Sequence, residues 1–434
     1  MREWKCESGT FSGYETENCI HISGIRYANS ERYGKPVPYK YNENVYECKS
    51  SPFGIQLHSV MENYISGVEF EKMEQEENCQ YLSITMPKNI NKESKLPVMV
   101  FIHGGSYKNG GCDLKYYDRE PMVKENQIIH VGINYRLGVF GFLRDKNGNM
   151  SNNGLFDIIE GLKWIKKNIS SFGGNSNNIT IYGQSAGGDA VRCVMLSKGT
   201  EQLYQRAIIQ SDPIGTMYNR ENMENKMLEE LNQLPIDATI EQLKECQASI
   251  AKNITEKGNP KYMIFAPHFG IDPLPKIEDI PKRLQEIAPS HPLFIGNTSR
   301  EVALFISSNK LIRGLSSIFL TSWAIEGIIK RISNSIYHNP TSIFAKQYAD
   351  AGGKTYRYVF SWGENDSFVG AAHMSELSLL FGGSEVVGRD MGMGLTEEEI
   401  YKQGKPIREL WSSFAKTGNF KTMKIDGVIE IQKL

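Results

Sequence analysis

The chain has 434 residues, 40% of them hydrophobic and 10% aromatic, enough for one large α/β domain or two to three ordinary ones. A net charge of −1, with no run of Lys or Arg, excludes the long-range field that draws nucleic acid or an anionic membrane. The opening residues, MREWKCESGTFSGYE, lack an apolar stretch and a small-residue cleavage site, so they do not read as a signal peptide and a cytoplasmic location is expected.

Seven cysteines are scattered without the close pairs of a zinc site, which predicts reduced thiols. Cys48 and Cys79 bracket a segment that a disulfide would close only in an oxidising compartment, and the sequence leaves that pairing open. Asn-x-Ser/Thr triplets at Asn168, Asn178, Asn253 and Asn297 carry little weight without secretion.

From residue 96 the pattern becomes regular. LPVMVFIHGG (96–105) reads as a buried central strand running into a glycine turn, and QIIHVGINYRLG (127–138) as a second strand. FDIIEGLKWIKKNISSFGG (156–174) sets Ile158, Leu162, Ile165 and Ile169 on one helical face and ends in glycines. NITIYG (178–183) is strand again, AGGDAVRCVMLS follows as helix, and Ser185 of IYGQSAGGDA stands at the junction. QRAIIQSD (205–212), HPLFIGNTSRE (291–301) and TYRYVFSWGEN (355–365) each read as a strand followed by a polar loop. Residues 215–285 are polar, charged and irregular, the expected place for lid insertions. LSSIFLTSWAI (315–325) is too short to span a bilayer and is expected to be a buried or lid helix. Strands alternating with helices predict a mostly parallel sheet with helices on its faces.

A serine between Gly183 and Gly187, on a strand-to-helix turn, is the setting of a nucleophile elbow. A serine hydroxyl is a poor nucleophile at neutral pH and needs a histidine base oriented by a carboxylate. On such a fold the chain order is Ser, then Asp or Glu, then His. After Ser185 come His268, His291, His338 and His373. His373, in the small-residue loop GAAHMSEL beyond a strand, is the expected base; His338 in SIYHNPT reads as a helix end. Glu301 follows the strand 291–296 directly and is the candidate acid, though spacing alone equally allows it to pair with Arg300 or face solvent. HGGSY (103–107) ends a strand where small residues let backbone N–H groups approach a tetrahedral oxyanion, which makes Gly105, Ser106 and Ala186 the candidate donors. His103 has no partner motif for a metal, and none is expected. AGGKTY (351–356) resembles the end of a phosphate loop, but Tyr348 stands where its first glycine is required.

These blocks together resemble the type-B carboxylesterases, most closely bacterial para-nitrobenzyl-esterase-like members. The likeness runs almost end to end, through GIRYA, ENCQYLSITMP, PVMVFIHGGSY, INYRLGVFGFL, NNGLFDIIEGLKWIKKNISSFGG, ITIYGQSAGG, RAIIQSD, PLFIGNTSRE, YRYVFSW, GAAHMSELSLLFG and LWSSFAKTGN. The resemblance implies an α/β-hydrolase fold that hydrolyses small carboxylic esters through an acyl-enzyme, as one domain over 1–434 with reduced lid insertions within 45–75 and 215–285, and with no cofactor. By position, it makes Ser185 the nucleophile, Glu301 the acid and His373 the base, with Gly105, Ser106 and Ala186 as oxyanion donors. It also implies that Ser211 and Glu376 support the acid and the histidine loop, and that Tyr107, Leu304 and Phe305 line the acyl and alcohol pockets.

Three departures stand out. Gln184 replaces the family's usual Glu before the nucleophile, Ser106 replaces the third glycine of the oxyanion run, and the chain is shorter than typical members. The same machinery would serve an amide, carbamate or lactone. A binding protein that has lost its triad is the reading from another class, and the complete set of triad residues weighs against it.

Overall fold

The structure is a computed structural model that describes residues 2–254, 257–307, 309–316, 319–364, 366–382 and 384–434. Its centre is an eleven-stranded sheet. In chain order the strands are β1 (Tyr14–Glu15), β2 (Cys19–Arg26), β3 (Tyr81–Pro87), β4 (Leu96–Ile102), β5 (Ile129–Ile133), β6 (Gly174–Gln184), β7 (Arg206–Gln210), β8 (Leu293–Thr298), β9 (Thr355–Phe360), β10 (Lys424–Ile425) and β11 (Ile429–Lys433). The spatial order is β10-β11-β9-β8-β7-β6-β4-β5-β3-β2-β1. From β5 to β9 neighbouring strands run parallel, and antiparallel strands finish both ends. Each edge strand is only two residues long.

The helices used below are α1 (Glu120–Asn126), α2 (Asn153–Asn168), α3 (Ala186–Leu196), α4 (Glu221–Leu231), α5 (Ile240–Asn253), α6 (Ile280–Ile287), α7 (Phe319–Ser333), α8 (Asn339–Asp350), α9 (Ser375–Phe381) and α10 (Glu397–Thr417). The period-2 alternation of strand side chains divides the core into two layers. Val98, Val100, Ile102, Ile181 and Ile295 face a layer shared with Leu162 and Ile165 of α2 and Val191 and Met195 of α3. Met99, Phe101, Tyr182 and Phe294 face the other, shared with Met122 of α1, Leu377 and Phe381 of α9, and Trp411 and Phe414 of α10. The helical face expected from the sequence is the buried one: Ile158, Leu162, Ile165 and Ile169 are all fully covered.

Some expectations need correction. The stretch 215–285 is irregular only in part: α4, α5 and most of α6 fold onto the body through Met223, Met227, Leu243 and Leu284, whereas 257–279 holds only short 3-10 turns. Its polar residues occupy the outer faces of amphipathic helices, which masks the period. His338 does lie at a helix boundary, as expected. It closes one turn of π-helix, Asn334–His338, that joins α7 directly to α8. The apolar stretch 315–325, part of which lies outside the described residues, leads into α7, whose Trp323 is 81% exposed rather than buried. Cys48 and Cys79 are separate buried thiols, as all seven cysteines are free, and burial pushes Cys48 up to about 12. Among the described residues no helix is long and apolar enough to cross a membrane.

Candidate active site

Strand β6 carries the chain to the middle of the sheet's parallel region and α3 begins at Ala186. Ser185 sits between them at φ 60° and ψ −128°, a conformation an L-residue holds only under constraint. The constraint is crowding. A Cβ on Gly187 would lie 2.1 Å from the carbonyl oxygen of Ile102, one on Gly183 2.4 Å from that of Gly187, and one on Gly188 2.8 Å from that of Gln210. The elbow geometry expected from the glycine spacing is therefore present, and it leaves Ser185 partly accessible at the tip.

The loop after β4 lies directly beside it, for a Cβ on Gly104 would meet that of Ser185 at 3.2 Å. Gly105, Ser106 and Tyr107 follow at φ 105°, 54° and 56°. The N–H groups of Gly105, Ser106 and Ala186 donate to no group of the protein among the described residues, which leaves them free for a ligand. His103 keeps Nδ1 2.9 Å from the Gly104 carbonyl, and burial pushes its imidazole down to about 4, so it stays neutral. No group of three or more metal-ligating side chains occurs among the described residues.

Glu301 and His373 meet on neighbouring loops. Ser299 N–H donates to the Phe360 carbonyl and Arg300 N–H to that of Ala371, so the loops after β8 and β9 are stitched together. His373 N–H donates to the Glu301 carbonyl at 3.1 Å, and His373 Nδ1 lies 2.5 Å from Glu301 Oε2. The other oxygen, Oε1, accepts from Thr298 N–H at 2.8 Å. The alternative pairing fails because Arg300 turns to Glu326 instead. Burial pulls the Glu301 carboxyl upward, but the imidazole and the Ser211 hydroxyl outweigh it, and the net shift is downward. An ionised Glu301 accepts from Nδ1–H, leaving the lone pair of His373 on Nε2. That nitrogen is 3.1 Å from the side-chain nitrogen of Gln184, the residue before Ser185. Among the described residues no hydrogen bond joins Ser185 Oγ to His373, a contact that commonly closes only when substrate binds.

Glu376 is fully buried one helical turn past His373. Gln210 Nε2 and Ser211 Oγ lie 3.4 and 3.5 Å from its Oε1. Burial, reinforced by the charge of Glu301, raises Glu376 to about 8, so it is neutral at physiological pH beside an ionised partner. Ser211, at φ 48°, stands between the two carboxyls.

The implied pocket residues divide. Leu304 is fully buried and Phe305 is 41% exposed, its ring centroid 5.2 Å from that of His373. Tyr107 is fully buried, packed against Phe142 with its hydroxyl donating to Asp189 at 2.7 Å. The sequence reading missed Tyr337, whose ring also packs against His373, the centroids 5.3 Å apart. The π turn sets where Tyr337 points, and no periodicity in the sequence signals such a turn. The other histidines serve elsewhere. His268 bonds the Phe142 carbonyl and Glu224, and His291 the carbonyl of Glu201.

The chain matches the model of the carboxylesterase family over residues 4–324 and 321–426. It is 30% identical over 421 residues to a probable N-octanoylanthranilate hydrolase of Rhodococcus erythropolis, covering 95% of this chain and 92% of that one. Para-nitrobenzyl esterase of Bacillus subtilis is 28% identical over 444 residues, covering 95% and 89% of the two chains. A solved structure of a PNB esterase superposes with a TM-score of 0.81 at 26% identity, over 100% of this chain and 97% of that one. With this sheet, this elbow and a family match along nearly its whole length, the chain belongs to the carboxylesterase family and has the α/β-hydrolase fold.

Proposed function

We propose that this carboxylic ester hydrolase works as a serine esterase on small esters, with Ser185 as nucleophile, His373 as base and Glu301 as the orienting acid. The observation that carries the reading is the buried Glu301–His373 pair at 2.5 Å, whose outward nitrogen faces the strand end that bears Ser185. Ser185 Oγ attacks the ester carbonyl as its proton passes to His373 Nε2, displacing the Gln184 amide. Charge on the carbonyl oxygen is met by the N–H groups of Gly105, Ser106 and Ala186, each worth on the order of 3–4 kcal/mol in such a site. His373 then gives its proton to the leaving alcohol, and water repeats the sequence on the acyl-enzyme. The chemistry needs no cofactor.

Residues 1–434 form one domain in this reading, with 45–75 and 215–285 shaping the entrance and with Leu304, Phe305 and Tyr337 shaping the acyl and alcohol sites. Seven free thiols suit a reducing compartment such as the cytoplasm. The experiment is a p-nitrophenyl ester series by acyl length, with a burst of one p-nitrophenol per active site expected and its complete loss in Ser185→Ala. A burst retained in that variant refutes the mechanism.

One observation favours a second substrate class. The Rhodococcus relative carries the name of an acyl-anthranilate hydrolase, whose scissile bond is an amide. An acyl anilide and an acyl phenyl ester of equal chain length, compared by kcat/KM, decide between amide and ester preference.

A further inference from the structure

We propose that Tyr107 is a positioning residue for the oxyanion loop, tied by its hydroxyl to a buried Asp189–Arg192–Asp212 network behind the nucleophile. The inference rests on the esterase reading above and says what holds its oxyanion hole in register.

The donors come from two separate pieces of chain. Gly105 and Ser106 lie on the loop after β4, while Ala186 opens α3. The loop is held in three consecutive left-handed conformations, two of them at residues with side chains. Such conformations are strained and persist only where their surroundings over-determine them. Two anchors do so at Tyr107. Its carbonyl accepts from Gly138 N–H at 2.7 Å, and its hydroxyl donates to Asp189 Oδ2 at 2.7 Å. The second anchor alone reaches the nucleophile's helix. Asp189 lies one turn past Ser185, with its N–H donating to the Ser185 carbonyl at 3.0 Å.

Asp189 is itself fixed. Arg192, one turn further along α3, binds the other Asp189 oxygen and, through Nε, Asp212 Oδ2 at 2.7 Å. Asp212 directly follows Ser211, the hydroxyl between Glu301 and Glu376. Tyr107, Asp189, Arg192 and Asp212 are each at most 3% exposed. A buried ionic network of this kind is a poor source of net stability. It sets two acidic side chains against one guanidinium, leaves Asp212 Oδ1 without a partner among the described residues, and burial, with Asp189 close by, pushes the Asp212 carboxyl upward. Well-packed apolar side chains of the same volume often match or exceed the stability of such buried ionic sets. What the ionic version supplies is a defined direction for one acceptor oxygen, and Tyr107 uses it.

Tyr107→Phe removes one oxygen and keeps the ring packing. The expected result is a roughly 10- to 100-fold fall in kcat with KM within about twofold. Affinity for a trifluoromethyl ketone, whose tetrahedral adduct places an oxyanion in the hole, falls by the same factor. Asp189→Asn, which weakens the acceptor, gives a smaller loss of the same kind and has little further effect when combined with Tyr107→Phe, because the bond is already gone. Hydrogen exchange of amides 105–110 is faster in both single variants. That measurement needs no turnover, so a wild type that hydrolyses no ester sinks the esterase reading while exchange still decides the tether. Unchanged kcat, inhibitor affinity and loop exchange in Tyr107→Phe, or equal slowing by Asp189→Asn with and without Tyr107→Phe, overturns the proposal.

Discussion

Gln184 holds the nitrogen that the proposed mechanism needs. Its amide donates to His373 Nε2 at 3.1 Å, a contact that suits neutral imidazole and gives nothing to imidazolium. A carboxylate there would favour the charged ring, so Gln184→Glu should move the acidic limb of kcat/KM upward by roughly one pH unit or more. An identical pH profile for the two proteins contradicts this. Glu376 sets a second pH dependence. Its buried carboxyl keeps its proton up to about 8, whereas in the unfolded chain it ionises in the ordinary carboxylate range. Across that window the native state binds more protons, so this group's contribution to stability falls as pH rises and levels off above about 8. Glu376→Gln cannot ionise, and its stability relative to the wild type should improve by at least about 1 kcal/mol between the bottom and top of the window. Urea unfolding at both ends checks it, and a parallel pair of curves is the adverse result.

The strand–turn–helix unit around Ser185 shows why some of the site was readable and some was not. Three glycines at fixed offsets report close backbone approach, and the structure puts each within 3 Å of a carbonyl oxygen once a Cβ is added. Gly187→Ala should therefore cost roughly 1–3 kcal/mol and, by shifting the elbow about an ångström, lower kcat on the order of 100-fold. Burst kinetics alongside unfolding curves test both halves. Glu301 was readable only as a carboxylate at a strand's end, since what commits it to His373 is the stitching of two loops distant in sequence. Tyr107 was read from its family position as a pocket wall; in the structure it is fully buried, with its hydroxyl on Asp189. Tyr337 had no signal at all, as the π turn shifts its register unannounced.

Over the whole molecule, the alternation of apolar runs and helical faces specified a mostly parallel sheet with helices on its faces. Strand lengths and the folded state of 215–285 did not follow, because the polar outer faces of α4 and α5 dilute their apolar stripes. The core is also pinned by ions that no pattern reveals. Fully buried Arg408 of α10 pairs with Glu125 of α1 through two 2.7 Å contacts and also reaches the Leu379 carbonyl of α9. Glu125→Ala strands that guanidinium and should cost about 3–5 kcal/mol in urea unfolding. A loss below about 1 kcal/mol would mean that water reaches Arg408. Finally, the sheet ends in strands of two residues, carrying Glu15 at one side and Lys424 at the other. A stray extended peptide arriving at either flank finds almost no ladder to extend and a charge beside it. So large an array of strands thus avoids offering itself as a template for fibrils, even in crowded solution.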